Sequence, residues 1–556
     1  MKREKYFLIV EPGVSGIHQL NALKRRGIKP LILFNKSKDQ YFKKHHDKIF
    51  KNLGKFAEFI YEKENFNDTL KELKKYNLIA ITPGCEYGVE LASKIATALN
   101  YLGNPYNRIN DFNSKEYMHE ALKKAGMRYI RGTTASSLSD AIKAYKKLKC
   151  KQVIIKPVDD AGACGFYICA NLDEFKKNIS KFFKGTTLGV KRKKVLIQER
   201  IMCNEEYIVN TMSIKGKTRV ISILKYGVSF NDVGVVFSAI HIIKKIDNKI
   251  KRLIKYAIDT AKAVGIKNGP VHGEYFYDEQ GPVLIEVNCR VMGALNSYPF
   301  LNCVLGGSDH EEVIDDLIFP DTFTKKSITP HLPYQNGAAR IIYVPNDTYP
   351  VSHPILALIN HLECRVDVKD WRPTGKFYPR SVNVDGCIFE FFLIHKDEEI
   401  FNKEDNLLKT MNDKYFHLLV ENKGCNDLLP PLKGGVNTKA LIKEIIPYKS
   451  LLLLTDLTVN YKYVMKTDLN KLDTTLDEYK CGVIDYDLRK FKGNREQLFK
   501  QLVNYLNLIR VNGELIVTYR TVSSFPYGLE GINIVLKLLG FNKNKVKGYL
   551  SFTKSR

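Results

Sequence analysis

No stretch of the chain approaches the roughly 18–20 consecutive apolar residues that span a bilayer, which removes a membrane-crossing helix from consideration. The opening "MKREKYFLIVEP" has a basic end, but its apolar stretch stops at Glu11, too early for a secretory signal. Eleven cysteines occur without a CxxC pair or a metal-type spacing, a pattern that fits reduced thiols and a cytoplasmic setting. No GxSxG or Cys–His signature is present, which excludes the familiar nucleophilic hydrolases. Internal repeats and low-complexity tracts are missing as well.

What is present is ordinary in bulk, with 44% hydrophobic and 26% charged residues. A chain of 556 residues is too long for one core. Three or four domains are expected, at roughly 100–200 residues each. The net charge of +27 raises the question of a nucleic-acid partner. Lysine outnumbers arginine and is spread along the chain. The basic clusters "LKELKKYN" (70–77) and "VKRKKV" (190–195) do not interleave aromatics as single-strand binders do, so nucleic acid is disfavoured.

Short apolar segments alternate with helical ones through the first hundred residues: "YFLIV", "GIHQLNALKRRG", "KPLILFN", "LIAITPG" and "EYGVELASKIATALN". This βαβ rhythm predicts an open parallel sheet with ligands near the carboxyl ends of its strands. The "GVSG" turn fits a plain structural turn better than a dinucleotide fingerprint. A helix ending at Gly126 and a helix "SLSDAIKAYKKL" come next. "QVIIKPVDDAGACGFYICA" reads as strand, glycine-bearing loop and strand. "VLIQERI" and "EEYIVNTMSIKG" read as antiparallel strands, 250–264 as a long helix, and "PVHGEYFYDEQGPVLIEVNCR" as a hairpin. More strand-like segments follow to 435, and the remainder alternates helix and strand. The expected division is 1–110, 111–325, 326–435 and 436–556, with an overall α/β (α+β) class.

The hairpin carries the chemistry. If its turn is centred on Gln280, Glu274 faces Glu286 and His272 faces Asn288. Carboxylates paired across antiparallel strands lie about 4.5–5.5 Å apart at Cβ and repel. A cation between them removes that penalty, and hard oxygen ligands suit magnesium held beside phosphates. The plainer alternative is a solvated sheet face that carries acids harmlessly. Arg290 follows two residues after Asn288 on the same alternation.

Upstream, Lys156 closes the apolar strand "VIIK", an inward position that suits a waiting anion. Gly162 and Gly165 in "DDAGACG" let backbone amides approach phosphate oxygens without a Cβ in the way. Lys115 starts a helix behind Ser114, a candidate N-cap. "IQERI" and "NEEYIV" add Glu199 and Glu206 on neighbouring strands.

In this order, Lys115, "IIKPVDDAGACGF", "QERIMCNEEYIV" and "HGEYFYDEQGPVLIEVNCRVMG" resemble the ATP-grasp ligases, in particular the amino-acid ligase-like carboxylate–amine ligases. The resemblance covers roughly residues 75–325, and "PGCEYGVELASKIATALNYLGN" is similar to the domain that precedes the core in such proteins. It implies an ATP-grasp fold with an N-terminal open parallel α/β domain and an additional C-terminal α/β section. It further implies that Lys115 and Lys156 contact ATP phosphates and that Asp160–Gly165 covers them. Glu199 and the backbone near Ile201 would edge the adenine, and Glu206 would accept from the ribose hydroxyls. Glu274, Glu286 and Asn288 would hold magnesium, with manganese as an alternative ion. Arg290 would bind the substrate carboxylate or its acyl phosphate, and His272 would stand beside them as a catalytic residue or as an ordinary polar strand residue. Asp160, Ala163 and Cys164 depart from the Ser, Ser and Arg of similar loops, losing one hydroxyl and one charge.

The implied activity is a C–N ligation between a carboxylate and an amine, both small molecules, with a homodimer as the expected assembly. Another ATP-grasp activity, biotin-carboxylase-like or purine-biosynthesis-like, would use the same nucleotide residues. A non-catalytic ATP-binding regulator is the alternative the altered loop favours. Residues 436–556 resemble, faintly, the later half of a methyltransferase-like domain. Their counterpart of an S-adenosylmethionine turn is reduced to "ENKGCND" (421–427), so a structural or docking domain is the expectation.

Overall fold

The computed structural model describes residues 4–36, 56–158 and 167–422 apart from 185, 188–189, 192–193, 232–233, 294–296, 360–361 and 382–385. It also describes strands and isolated helical residues between 451 and 554. Contacts divide it into two units, residues 1–228 with 239–339, and residues 229–238 with 340–556.

In the first unit the short apolar runs become a four-stranded parallel sheet, ordered Glu58–Tyr61, Lys29–Phe34, Tyr6–Val10 and Leu78–Pro83. Every residue of Tyr6–Val10 is buried because both faces are covered, as parallel sheets require. Phe7, Ile9, Ile32 and Phe34 pack with Leu20 and Leu23 of helix Gly13–Arg25 and Ile314 and Leu317 of helix Asp309–Ile318. Leu8, Val10, Leu31 and Leu33 pack on the other side with Leu73, Leu91 and Ile95, from helices Phe66–Leu73 and Val89–Leu99. Chain order reverses between Tyr6–Val10 and Leu78–Pro83, which brings the loops after these two strands together. Gly84 N–H donates to Val10 O at 2.9 Å, and a Cβ at Gly88 would lie 2.2 Å from that same oxygen. Only glycine allows this approach.

A second sheet is antiparallel, ordered Gly132–Ala135, Val195–Glu199, Val153–Pro157 and Tyr167–Cys169. Helices Leu138–Leu148 and Leu172–Lys184 supply Ala141, Leu148, Phe175, Ile179 and Phe182 to its covered face. The third sheet runs Gly281–Asn288, Gly269–Asp278, Glu206–Ile214, Lys217–Asn231 and Gly234–Ile242. Helix Asn248–Ala263, two residues earlier than its expected start, lays Leu253, Ile254 and Ala257 on one face of it. On the opposite face Met212, Ile214 and Ile221 pack with Val313, Ile314 and Leu317 of helix Asp309–Ile318, and polar side chains occupy the strand positions beyond them.

The second unit contains the tip of the Lys217–Asn231/Gly234–Ile242 hairpin and the second half of Asn336–Tyr343. Arg365–Trp371 and Cys387–His395 pair antiparallel there. Helix Glu398–Leu419 buries Phe401, Leu408 and Met411. Further on, a six-stranded sheet runs Val464–Thr467, Leu451–Thr455, Tyr479–Asp485, Ile509–Val517, Leu550–Lys554 and Phe541–Lys543. Its first four strands are parallel and the last two antiparallel to their neighbours. Of "ENKGCND", residues 423–427 lie outside the described residues. No described helix is long and apolar enough to cross a membrane.

Candidate active site

Two-residue alternation on three adjacent strands builds one polar face. Glu274 lies opposite Glu286 and His272 opposite Asn288, the register expected from the sequence. The chain reaches it by a different route. Asp278 pairs with Gly281 around a two-residue turn, and a one-residue bulge at Ile285 restores the register before the acids. On the other side Ile208 lies opposite Glu274 and Asn210 opposite His272. Glu206, Asn210, His272, Glu274, Glu286 and Asn288 therefore share a face. Glu205 points away, to Lys225 Nζ at 2.6 Å and to Lys249.

Lysines answer the acids. Lys115 Nζ lies 2.5 Å from Glu286 Oε2. Burial alone would raise the Glu286 pKa, but Lys115, then Lys156, then the Asn288 amide hold it down at about 2. Lys156 is driven the other way, to about 8, by burial and by Lys115, against the pull of Glu286, Glu274 and Glu206. Burial followed by Glu274 and Glu286 raises Glu206 well above the carboxylate range. Glu274 Oε1 accepts from Tyr226 Oη at 3.0 Å and lies 3.3 Å from His272 Nε2. Lys115 is the first residue of helix Lys115–Lys124. A cation there opposes the helix dipole by about 0.3–1 kcal/mol, so its place is held by Glu286. Ser114 occupies the cap position with extended backbone, but its side chain makes no capping bond, contrary to the sequence expectation.

Two expected residues keep different company. The Arg290 guanidinium, expected to meet a substrate carboxylate, already holds one from the chain: Nε donates to Glu86 Oε2 at 2.8 Å and Nη2 to Glu86 Oε1 at 2.6 Å. Glu86 comes from "PGCEYG", directly after Leu78–Pro83 at the point where chain order reverses, the usual ligand position of an open α/β sheet. Glu199 is drawn to Arg131, whose backbone N–H and Nε both donate to it at 2.8 Å. Its carboxylate joins the end of Val195–Glu199 to the residue just before Gly132–Ala135. Ile201 is half-buried, and its carbonyl accepts from Cys203 N–H at 3.0 Å. Asp160, Gly162 and Gly165 lie outside the described residues.

Among the described residues no three His, Cys, Asp or Glu side chains form a metal-holding group. The set expected from the sequence is two carboxylates and an amide, Glu274, Glu286 and Asn288. These are hard oxygen donors on one face, and they fit a magnesium or manganese ion that takes its other ligands from phosphates. The repulsion that lifts Glu206 is what such a cation would relieve. Glu86, Asn210 and Tyr226 were missed by sequence reasoning. Only Asn210 left a signal there, two alternations beyond Glu206.

Residues 150–298 match the ATP-grasp domain family. Dapdiamide A synthase of Enterobacter agglomerans is 26% identical over 270 residues, 48% of this chain and 63% of that protein. An uncharacterized Sinorhizobium fredii protein, y4rH, is 24% identical over 225 residues, 40% of this chain and 45% of its own length. The chain thus spans less than two thirds of either relative. Among solved structures, an L-amino acid ligase from Bacillus licheniformis superposes with a TM-score of 0.56 at 18% identity, over 74% of this chain and 98% of that one. An Aspergillus clavatus N5-carboxyaminoimidazole synthase, solved with ADP and 5-aminoimidazole ribonucleotide, gives 0.53 at 12% over 74% and 100%. The fold is that of the ATP-grasp proteins.

Proposed function

From a chain whose residues 150–298 are an ATP-grasp domain, we propose an ATP-dependent ligase that joins a small carboxylate, an amino acid, to an amine, releasing ADP and phosphate. The observation that carries it is the polar face itself: Glu274 opposed to Glu286, with Lys115 on Glu286 and Lys156 in the same field. A carboxylate is a poor electrophile because oxide would have to leave. Transfer of the ATP γ-phosphoryl to its oxygen gives an acyl phosphate, which an amine attacks as phosphate departs. Such transfer needs positioning and charge neutralisation more than covalent chemistry.

In this reading Lys115 and Lys156 bind phosphate oxygens, and the Asp160–Gly165 loop covers them and keeps water from the acyl phosphate. Glu206 accepts from the ribose hydroxyls, and the main chain near Ile201 meets the adenine. Glu274, Glu286 and Asn288 would hold magnesium, or manganese, which supplies charge neutralisation at the phosphates when bound. Arg290 orients the substrate carboxylate, and Glu86 shares the guanidinium with it. His272 stands beside Glu274 as an acid–base group. The Enterobacter relative is named a dapdiamide A synthase and the Bacillus neighbour an L-amino acid ligase, which supports the amino-acid assignment. A cytoplasmic homodimer that uses neither membrane nor nucleic acid belongs to the same proposal.

Phosphate release from ATP and magnesium across amino-acid and amine pools, with mass spectrometry on the products, tests it. Release matched by a new amide mass is expected. Release matched by a carboxylated product would replace ligation with a carboxylase-type reaction. Nucleotide binding without turnover in any pool would leave a regulator.

A further inference from the structure

The two acids that face one another across the hairpin do not have equal surroundings. Glu286 has a partner on each oxygen, Lys115 Nζ at 2.5 Å from Oε2 and the Asn288 amide nitrogen at 3.4 Å from Oε1. Glu274 has its partners on one oxygen only. Tyr226 Oη donates to Oε1 at 3.0 Å, and His272 Nε2 lies 3.3 Å from the same atom. Among the described residues nothing donates to Glu274 Oε2.

Tyr226 reaches this oxygen from two strands away. Tyr207 pairs with Lys225 and Ile208 with Leu224, so Tyr226 stands level with Glu206 on the polar face. Ile208 lies opposite Glu274 on its other side. The phenol therefore crosses the strand Glu206–Ile214 on a diagonal, from Lys217–Asn231 to Gly269–Asp278. It brings a donor to a point where the intervening strand offers only the apolar Ile208. Phenylalanine would fill the same space without that donor.

A carboxylate held at one oxygen is a different ligand from a free one. To chelate an ion with both oxygens, Glu274 would have to turn Oε1 away from the phenol and lose its hydrogen bond. With the phenol in place, only Oε2 is offered. Magnesium takes single oxygens in a near-octahedral set, whereas calcium takes about six to eight oxygens and accepts both from one carboxylate. We infer that Tyr226 is a positioning residue that holds Glu274 through Oε1, keeps it a one-oxygen ligand, and so makes the site select a magnesium-sized ion over calcium. This role rests on the metal assignment proposed above for Glu274, Glu286 and Asn288.

Manganese electron paramagnetic resonance of the protein with saturating ADP tests it, with magnesium and calcium as competitors for the bound ion. In the wild type, calcium should displace manganese much less readily than magnesium does. Tyr226→Phe should weaken magnesium about tenfold, the scale of losing a group that orients a metal ligand, and leave calcium level or tighter. The preference for magnesium should fall by the same factor. Equal losses for the two ions would make Tyr226 a support of the fold alone and overturn the inference, as would an unchanged preference. The wild type decides without the variant, should Tyr226→Phe fail to fold: calcium that competes as well as magnesium overturns the inference. A wild type that binds no manganese at all is a separate failure, which removes the metal assignment itself.

Discussion

Two clusters of charge in the first unit are built from the same residue types and behave oppositely. Arg219 pairs with Glu312 and, at 2.7 Å, with Asp316, while Lys326 reaches Asp316 at 2.6 Å and Glu312 at 3.6 Å. Two cations meet two anions there, and the guanidinium also lies over the Phe323 ring. On the hairpin face, three carboxylates meet two lysines. Glu286 is held at about 2, while Glu206 is pushed up and Lys156 down. The first cluster is balanced and ties helix Asp309–Ile318 to the third sheet. In the second, pKa values are pushed in opposed directions, the pattern that recurs in sites where chemistry is done.

The sharpest way to break the comparison is one substitution in each cluster. Glu286→Gln should lower ATP- and magnesium-dependent turnover by about a thousandfold or more, with the thermal melt almost unmoved. Phosphate release and circular dichroism read the two effects, and unchanged turnover would sink the metal assignment. Arg219→Met should do the reverse. It leaves Glu312 and Asp316 facing one lysine, at a cost of about 3–5 kcal/mol in denaturant unfolding, with nucleotide binding preserved in the folded fraction.

The hairpin was legible because period-two alternation is a local property, carried by residues 272–288 alone. The parallel sheet was legible for the same reason, since strands buried on both faces read as unbroken apolar runs. What escaped depends on distant partners. Glu86 gains its meaning from Arg290, 204 residues later, and Asn210 from Asp309, 99 residues later. Glu199 meets Arg131, 68 residues upstream and directly before the neighbouring strand, a pairing that cannot be read from sequence. Side-chain alternation along a strand is written in the sequence, but the neighbour across the sheet is not.

A milder perturbation separates the lysines. Lys115 neutralises Glu286, as a divalent ion on that carboxylate would. Lys115→Met should weaken ATP binding about tenfold and, with nucleotide absent, tighten manganese binding by a similar factor. Calorimetry and manganese electron paramagnetic resonance measure the two. Manganese affinity that falls together with ATP affinity would mean that Lys115 only supports the fold of the site.

The smallest expected effect is a pH dependence. Lys156 releases its proton near pH 8, well below an ordinary lysine, because burial and Lys115 disfavour its charge. The Lys156 charge, which the proposed function sets against phosphate, is therefore present below that pH and is lost as pH rises through it. ATP affinity should decline between about pH 8 and 9.5, where an unperturbed lysine of pKa about 10.4 would still hold it. Bound phosphate favours the charged form, so the decline should be a few-fold and should begin later for ATP than for adenosine monophosphate. Lys156→Arg keeps its charge throughout this range and should flatten the profile, while Arg219→Met, in the balanced cluster, should leave it unchanged. A profile that stays level to pH 10 in the wild type would place Lys156 outside the field of Lys115 and move phosphate binding to Lys115 alone.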